Sequence, residues 1–166
     1  IRILPPHINH SLPHFSAEGT DIRYGLSAVK NVGGLVALRI AEQRFPDKYH
    51  DMADFLSRVA PGINSKAVES LIQAGALDGL GASRSSMLEA ADHALEQLSH
   101  LRNRQSEGQI GMFDQQDGDG SGLLQLSLSP EETLSDAKRL SDEKEMTGLY
   151  LSGHPLDKYT PYRKQA

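Results

Sequence analysis

The stretch "AVKNVGGLVALRI", residues 28–40, decides the fold because it combines a tight bend with the start of a helix. Asn31 tolerates a positive φ angle, and Gly33 and Gly34 let the backbone approach a ligand without hindrance from a Cβ atom. A helix is predicted to begin directly after the glycines, with Val32 packed inward to brace the bend. The unpaired N–H groups and the dipole of that helix attract anions, and phosphate is the natural candidate.

A second unit of the same layout follows in "LIQAGALDGLGASRSSMLEAA", residues 71–91. Its bend is built on Gly79, Leu80 and Gly81, between two predicted helices. The next helix starts with Ser83, Arg84 and Ser85. Their hydroxyl and guanidinium groups would reach phosphate oxygens at this bend. Two such bends would grip the two backbones of one DNA duplex across the minor groove, without reading its bases.

Three basic side chains near these bends are candidates for phosphate contact. Lys30 directly precedes the first bend, and Arg84 lies at the helix start after the second bend. Both are expected to contact phosphate. Lys66 lies at the start of an intervening helix, where an ordinary solvated charge is the preferred interpretation.

The charge of the chain is unevenly distributed. Residues 22–104 carry ten Lys or Arg and nine Asp or Glu, whereas residues 105–145 carry three and ten, so the net charge of −5 comes mainly from the second tract. A near-neutral domain binds DNA through a few converging cations and amides, without a broad basic footprint. The absence of Cys excludes disulfides, thiolate metal sites and Cys nucleophiles, and it favours a cytoplasmic protein. No apolar run approaches the ~20 residues of a membrane span.

Outside the bends, the patterning predicts a mainly α-helical chain with one small β-hairpin near the N-terminus. The hairpin strands are expected at residues 15–17 and 22–24. Asp51 and Asn64 are predicted to cap the N-termini of two helices, and Gly75 is predicted to end the second of them. The helix after the first bend is expected to bury one stripe of apolar residues: Leu35, Leu38 and Ile40, with Ala37 and Ala41.

A polar, Gly-rich and acidic tract at residues 105–130 predicts a disordered linker. Within it, "QIGMF" concentrates apolar side chains in a segment that otherwise avoids them. Such exposed clusters mark interaction sites, although docking back onto the same domain is the alternative. The residues concerned are Gln109, Ile110, Met112 and Phe113. After the linker, a helix start is expected at Ser129, and a further helix from 136 to about 151, stopped by Gly153 and Pro155.

Histidines do not indicate a metal or catalytic site. His7, His10 and His14 lie in an extended, Pro-interrupted segment, and no carboxylate or thiolate completes a ligand set. His154 is expected to shape the exit from a helix, because no nucleophile accompanies it.

Four stretches together resemble one family, the alpha subunit of bacterial DNA polymerase III, a family C replicative polymerase. They are "ILPPHINHS", "IRYGLSAVKNVG", "LIQAGALDGLGASR" and "EKEMTGLYLSGHPL", and the resemblance covers nearly the whole chain. The two bends are similar to helix-hairpin-helix motifs. The first bend departs from the usual Gly-apolar-Gly pattern, since Asn31 stands at the leading glycine.

The resemblance implies a different role for each part of the chain. Residues 1–24 would close the fingers region, and residues 25–104 would form a tandem helix-hairpin-helix domain that holds double-stranded DNA. Residues 105–130 would be a linker whose peptide 109–113 binds the sliding clamp, with Met112 in place of the more common Leu. Residues 131–166 would lead towards an OB-fold. The catalytic aspartates and their Mg²⁺ would belong to a palm domain upstream. Neither catalytic residues nor a cofactor are therefore expected in this chain. Other replicase subunits would bind through other domains.

Two other functions remain open from the residues alone. A helix-hairpin-helix glycosylase or nuclease is possible, but it needs a Lys or Asp in a pocket beside the second bend, and only a helix and a linker follow Arg84. A protein-interaction module, in which the hairpins are scaffold, would bind the clamp without binding DNA.

Overall fold

A computed structural model describes residues 1–106, 124–154 and 156 of the chain. The described part is mainly α-helical, as predicted, and its helices share one apolar core with the N-terminal segment. None of the described helices is long and apolar enough to cross a membrane. The helices are α1 (Gly34–Gln43), α2 (Met52–Val59), α3 (Ser65–Gln73), α4 (Arg84–Ser106) and α5 (Asp136–Thr147).

The predicted β-hairpin is confirmed and is part of a three-stranded sheet. Strands β2 (Ser16–Glu18) and β3 (Asp21–Arg23) are antiparallel, and Gly19 at the turn has a φ angle of 63°. A third strand, β1 (Ile3–Leu4), pairs with β3 in parallel, which gives the order β1-β3-β2. Sequence patterning missed β1 because two residues ahead of a Pro-Pro pair show no alternation.

Local capping signals are confirmed in three places. The Asp51 carboxylate accepts the N–H of Asp54 at 2.7 Å and starts α2, and the Asn64 side chain accepts the N–H of Ala67 at 2.9 Å and starts α3. Gly75 follows α3 with a φ angle of 84°. Each cap joins groups within three residues of one another, which is why the sequence predicts them.

The predicted buried stripe of α1 is only partly correct. Ala37, Ile40 and Ala41 are buried, but Leu35 is 85% exposed and Leu38 is 45% exposed. The buried residues follow a spacing of three and four, so α1 rests on the core through a narrow stripe. Leu35 and Leu38 lie outside this stripe, on a side of the helix that the core does not cover fully.

The N-terminal segment crosses the helices and is bound to them by backbone contacts. Ile8 is fully buried, and its N–H donates to the carbonyl of Ala76 at 3.0 Å. The buried guanidinium of Arg44, at the end of α1, donates to the carbonyls of Ile8 and Ser11 at 3.2 and 2.6 Å. Residues 7–11 therefore brace the second bend from outside the hairpins.

Residues 124–135 depart from the expected linker and helix start. Leu124 is buried, and Leu126 and Leu128 pack against the core, so the linker prediction is wrong for residues 124–130. These three leucines alternate with exposed residues, as in an extended segment that has one apolar side. The residues from Ser129 onward are not helical, and the next helix is α5.

Helix α5 begins at Asp136, as expected, with Ser135 as its N-cap. It ends at Thr147 because Gly148 adopts a φ angle of 78°, and not at the more distant Gly153 or Pro155. The left-handed glycine directly after the last turn is the usual helix stop.

Candidate nucleic-acid interface

The first bend has the backbone that its sequence predicts. A single 3₁₀ turn at Leu26–Ala28 precedes it, Asn31 has a φ angle of 66°, and Val32 is only 4% exposed. The Asn31 amide donates to the hydroxyl of Ser70 in α3 at 2.9 Å. Asn31 thus tolerates the left-handed conformation and also ties the bend to the neighbouring helix.

The start of α1 is open. Gly33 is its N-cap and supplies no side-chain hydrogen bond, and a Cβ atom added to Gly33 or Gly34 would meet nothing within 4 Å. The N–H groups of Gly34 and Leu35 donate to no acceptor among the described residues. First-turn N–H groups have no partner within their own helix, so these donors and the positive end of the helix dipole face solvent.

Lys30 adds an exposed positive charge next to this helix start. Its Nζ lies 3.7 Å from an oxygen of Glu145, and both side chains are more than half exposed. Such surface pairs contribute little and exchange readily for another anion. The Lys30 N–H donates to the carbonyl of Met146 at 2.8 Å, so the end of α5 supports the backbone of the bend while the ammonium group stays available.

The second bend has the predicted glycine geometry but a different environment. Gly79 and Gly81 have φ angles of 87° and 86° and are exposed, and Leu80 is half-buried. The Nε2 of His7 lies 2.9 Å from the carbonyl of Asp78, while the Nδ1 of His7 accepts the N–H of Asn9 at 3.0 Å. Burial and the neighbouring His10 lower the pKa of His7. The neutral imidazole therefore acts as a donor that pins this bend to the N-terminal segment.

An internal carboxylate occupies the start of α4. Glu132 accepts the N–H groups of Arg84 and Ser85 at 3.0 and 3.3 Å, and also the N–H of Leu134 at 3.0 Å. Burial raises the pKa of the Glu132 carboxyl, but these hydrogen bonds outweigh burial and hold the pKa below its usual value. The donors that a phosphate would need at this helix start are thus already satisfied by the protein.

The Arg84 guanidinium points into the protein. Its side chain is 6% exposed, and Nη2 lies 2.7 Å from an oxygen of Asp78 and 2.9 Å from an oxygen of Glu143. Glu143, in α5, is 1% exposed and also accepts the N–H groups of Leu151 and Ser152. Two carboxylates therefore compensate the charge of Arg84 within the protein, and its contact with a phosphate stays a prediction.

Ser83 and Ser85 are likewise engaged within the fold. The hydroxyl of Ser83 accepts the N–H of Ser86 at 3.2 Å, and its N–H donates to the carbonyl of Ser129 at 2.9 Å. The hydroxyl of Ser85 accepts the N–H of Thr133 at 3.2 Å. The returning segment 124–135 therefore covers the helix start that the sequence assigned to DNA.

The predicted site residues thus separate into two groups. Lys30, Gly33 and Gly34 lie together on one open surface, with Asn31 beside them, whereas the polar residues of the second bend face inward. Lys66 is exposed and lies in α3, one helical turn before Ser70, the hydrogen-bond partner of Asn31. The clamp-peptide residues Gln109, Ile110, Met112 and Phe113 lie outside the described residues.

Sequence reasoning missed Glu132 and Glu143, the two carboxylates that close the second bend. Their contacts with Arg84 span 48 and 59 residues of chain, and no local pattern marks either glutamate. His7, His10 and His14 are not part of a metal-ligating group among the residues that the structure describes.

Comparison with known proteins assigns the fold to a family. The family model described as "Helix-hairpin-helix motif" matches residues 1–87, which is more than half of the chain and includes both bends. DNA polymerase III subunit alpha of Saccharopolyspora erythraea is 41% identical over 165 residues, and that of Mycobacterium leprae is 37% identical over 159; each alignment covers 95% of this chain. The Deinococcus radiodurans subunit is 37% identical over 171 residues, covering the whole chain.

The chain spans only 12–14% of the length of these relatives. The family match covers the two bends, and the relatives extend the similarity through α5. The chain therefore belongs to the helix-hairpin-helix motif family, and over nearly its whole length it is similar to one segment of the bacterial DNA polymerase III alpha subunits.

Proposed function

We propose that this chain is the duplex-binding segment of a replicative DNA polymerase and that it holds one DNA backbone at the first bend. The observation that supports the proposal is the uncapped start of α1, where the N–H groups of Gly34 and Leu35 face solvent beside the exposed Lys30. A phosphate placed there accepts hydrogen bonds from backbone amides and gains a charge partner. Binding of this kind is independent of base sequence.

The second bend serves as a structural support rather than a second grip. Glu132 takes the position of a bound anion at the start of α4, and Arg84 is paired with Asp78 and Glu143. One open helix start and few free cations neutralise few phosphates. The affinity for duplex DNA therefore falls with salt along a shallow slope.

Titration of a fluorescent duplex at several salt concentrations tests this assignment. Lys30→Met is expected to weaken binding at low salt by about two- to fivefold and to reduce the slope of log affinity against log salt by about one. Glu132→Gln is expected to leave affinity within about twofold and to lower the free energy of unfolding by about 1 kcal/mol, because it weakens a helix cap. The contrast identifies the bend that holds DNA.

The opposite pattern would assign the grip to the second bend, and an unchanged salt slope in Lys30→Met would remove Lys30 from the interface. Incision of a damaged duplex by the chain would favour the glycosylase or nuclease alternative. Clamp binding without measurable duplex binding would favour the protein-interaction module.

The peptide "QIGMF" extends the proposal to the sliding clamp. Met112 and Phe113 fill an apolar pocket on the clamp, and Gln109 makes polar contacts beside it; Met is flexible enough to replace a leucine. In this role the segment acts in the bacterial cytoplasm with the other replicase subunits. Other parts of the polymerase catalyse nucleotide transfer, and this segment binds duplex DNA and the sliding clamp.

Phe113→Ala is expected to weaken binding of the chain to a purified bacterial sliding clamp by at least about tenfold, because a buried aromatic anchor carries much of the energy of such an interface. Calorimetry or surface plasmon resonance measures the change. Gln115→Ala, two residues further along the same tract, is the matched control and is expected to bind normally. Equal affinity of the Phe113→Ala variant would exclude the peptide as the tether.

A further inference from the structure

Two leucines on the first turns of α1 form an apolar face that the protein leaves uncovered. Leu35 is 85% exposed and Leu38 is 45% exposed, and their spacing of three residues places them on one side of the helix. We refer to this pair as the leucine face. Exposed single leucines are common, but two on one face at the entrance of a candidate binding site indicate an interaction surface.

The leucine face is continuous with the open helix start. Leu35 is the second residue of α1, so its N–H is one of the donors that face solvent while its side chain projects beside them. A phosphate held by these amides brings the attached deoxyribose next to the same turn. The sugar presents C–H groups along the edge of the minor groove, and aliphatic side chains pack against such surfaces.

From this juxtaposition we propose that Leu35 and Leu38 pack against the sugar edge of the DNA minor groove when the first bend holds a phosphate. The inference rests on the proposed function and adds to it a contact that does not depend on charge. Leu35 makes the closer contact because it is the more exposed and lies nearer the bend.

Neighbouring charges limit how far the duplex follows α1. Glu42, one turn beyond Leu38, is exposed and repels phosphate, so the DNA leaves the helix after its first two turns. The Arg39 guanidinium is directed away, since it donates to the carbonyl of Val59. The apolar contact therefore lies between the start of α1, which attracts phosphate, and the second half of α1, which repels it. This arrangement allows one orientation of the duplex on the helix.

The size of the face favours DNA over a second copy of the chain. Two leucine side chains supply far less than the ~800 Å² per partner of a stable protein interface. A duplex anchored at the amides needs only a small adjoining contact.

The double variant Leu35→Ala/Leu38→Ala in the 166-residue chain tests the inference. Its affinity for a duplex is expected to fall by about five- to tenfold at every salt concentration, with an unchanged salt slope, because apolar burial is lost and no phosphate contact is removed. Its unfolding midpoint in urea is expected to fall only slightly, because Leu35 is 85% exposed and Leu38 is 45% exposed, so little apolar burial is lost. Leu12→Ala, at a leucine 48% exposed on the N-terminal segment, is the matched control and is expected to bind normally.

The outcomes separate the inference from the proposed function. Full affinity in the double variant, with weakened binding in Lys30→Met, overturns the leucine contact and leaves the phosphate grip intact. A lower salt slope in the double variant also overturns it, because the leucines would then act through the charged contacts. Absence of duplex binding by the wild-type chain overturns both.

Discussion

Replacing Gly34 with Asp is expected to stabilise the fold and to abolish most of its DNA binding. Gly34 is the first residue of α1, and a Cβ atom there meets nothing within 4 Å, so an aspartate is accommodated without displacing a neighbour. A negative charge in the first turn favours the helix dipole, and a glycine in a helix costs conformational entropy. Together these effects raise the free energy of unfolding by about 0.5–1 kcal/mol.

The same carboxylate competes with DNA for the open amides and repels phosphate. The affinity for duplex DNA is expected to fall by about 10- to 100-fold, as charge-assisted hydrogen bonds are lost. Urea unfolding and a duplex titration on the same preparation measure the two effects. Gly34→Asn is the control of nearly equal shape and is expected to lose much less affinity. Normal DNA binding by a stabilised Gly34→Asp variant would show that phosphate does not bind at this helix start.

The Arg84→Met substitution is expected to lower the free energy of unfolding by about 3–5 kcal/mol, because it leaves the buried carboxylate of Glu143 without its charge partner. Glu143 is 1% exposed and lies 2.9 Å from the guanidinium. Its remaining donors are two backbone N–H groups, from Leu151 and Ser152, which compensate the charge only in part.

Urea unfolding of Arg84→Met, Glu143→Gln and the double variant Arg84→Met/Glu143→Gln gives the free energy of unfolding of each. The cycle separates the interaction energy of the ion pair from the cost of leaving a buried carboxylate without a partner. The double variant is expected to be more stable than Arg84→Met alone. Lys30→Met is the control at an exposed pair and is expected to change stability by less than about 0.5 kcal/mol. If Arg84→Met kept full stability but bound DNA weakly, Arg84 would be a phosphate contact, as the sequence first suggested.

Features that depend on a few consecutive residues were predictable from the sequence. Asn31 at a positive φ angle, the caps Asp51 and Asn64, and the helix stop at Gly75 all join groups within one turn of chain. The alternating leucines of residues 124–128 also indicate an extended segment that packs on the core. The polar composition of the surrounding tract favoured a disordered linker instead. The periodicity of α1 indicated an amphipathic helix, and yet it did not show where the neighbouring elements end. The periodicity therefore predicts that Leu35 is buried, whereas its side chain is 85% exposed.

The sequence by itself determined the two glycine bends, the helices that follow them and the family to which they belong, because bend geometry and helix starts are local properties of the backbone. Only the tertiary structure decided which bend stays open. The first helix start has no partner among the described residues, whereas Glu132, 48 residues from Arg84, accepts the N–H groups of the second helix start. Glu143, 59 residues from Arg84, pairs with its guanidinium. Both bends have equivalent donors in the sequence, and the difference between them arises from carboxylates that folding alone brings within hydrogen-bond distance.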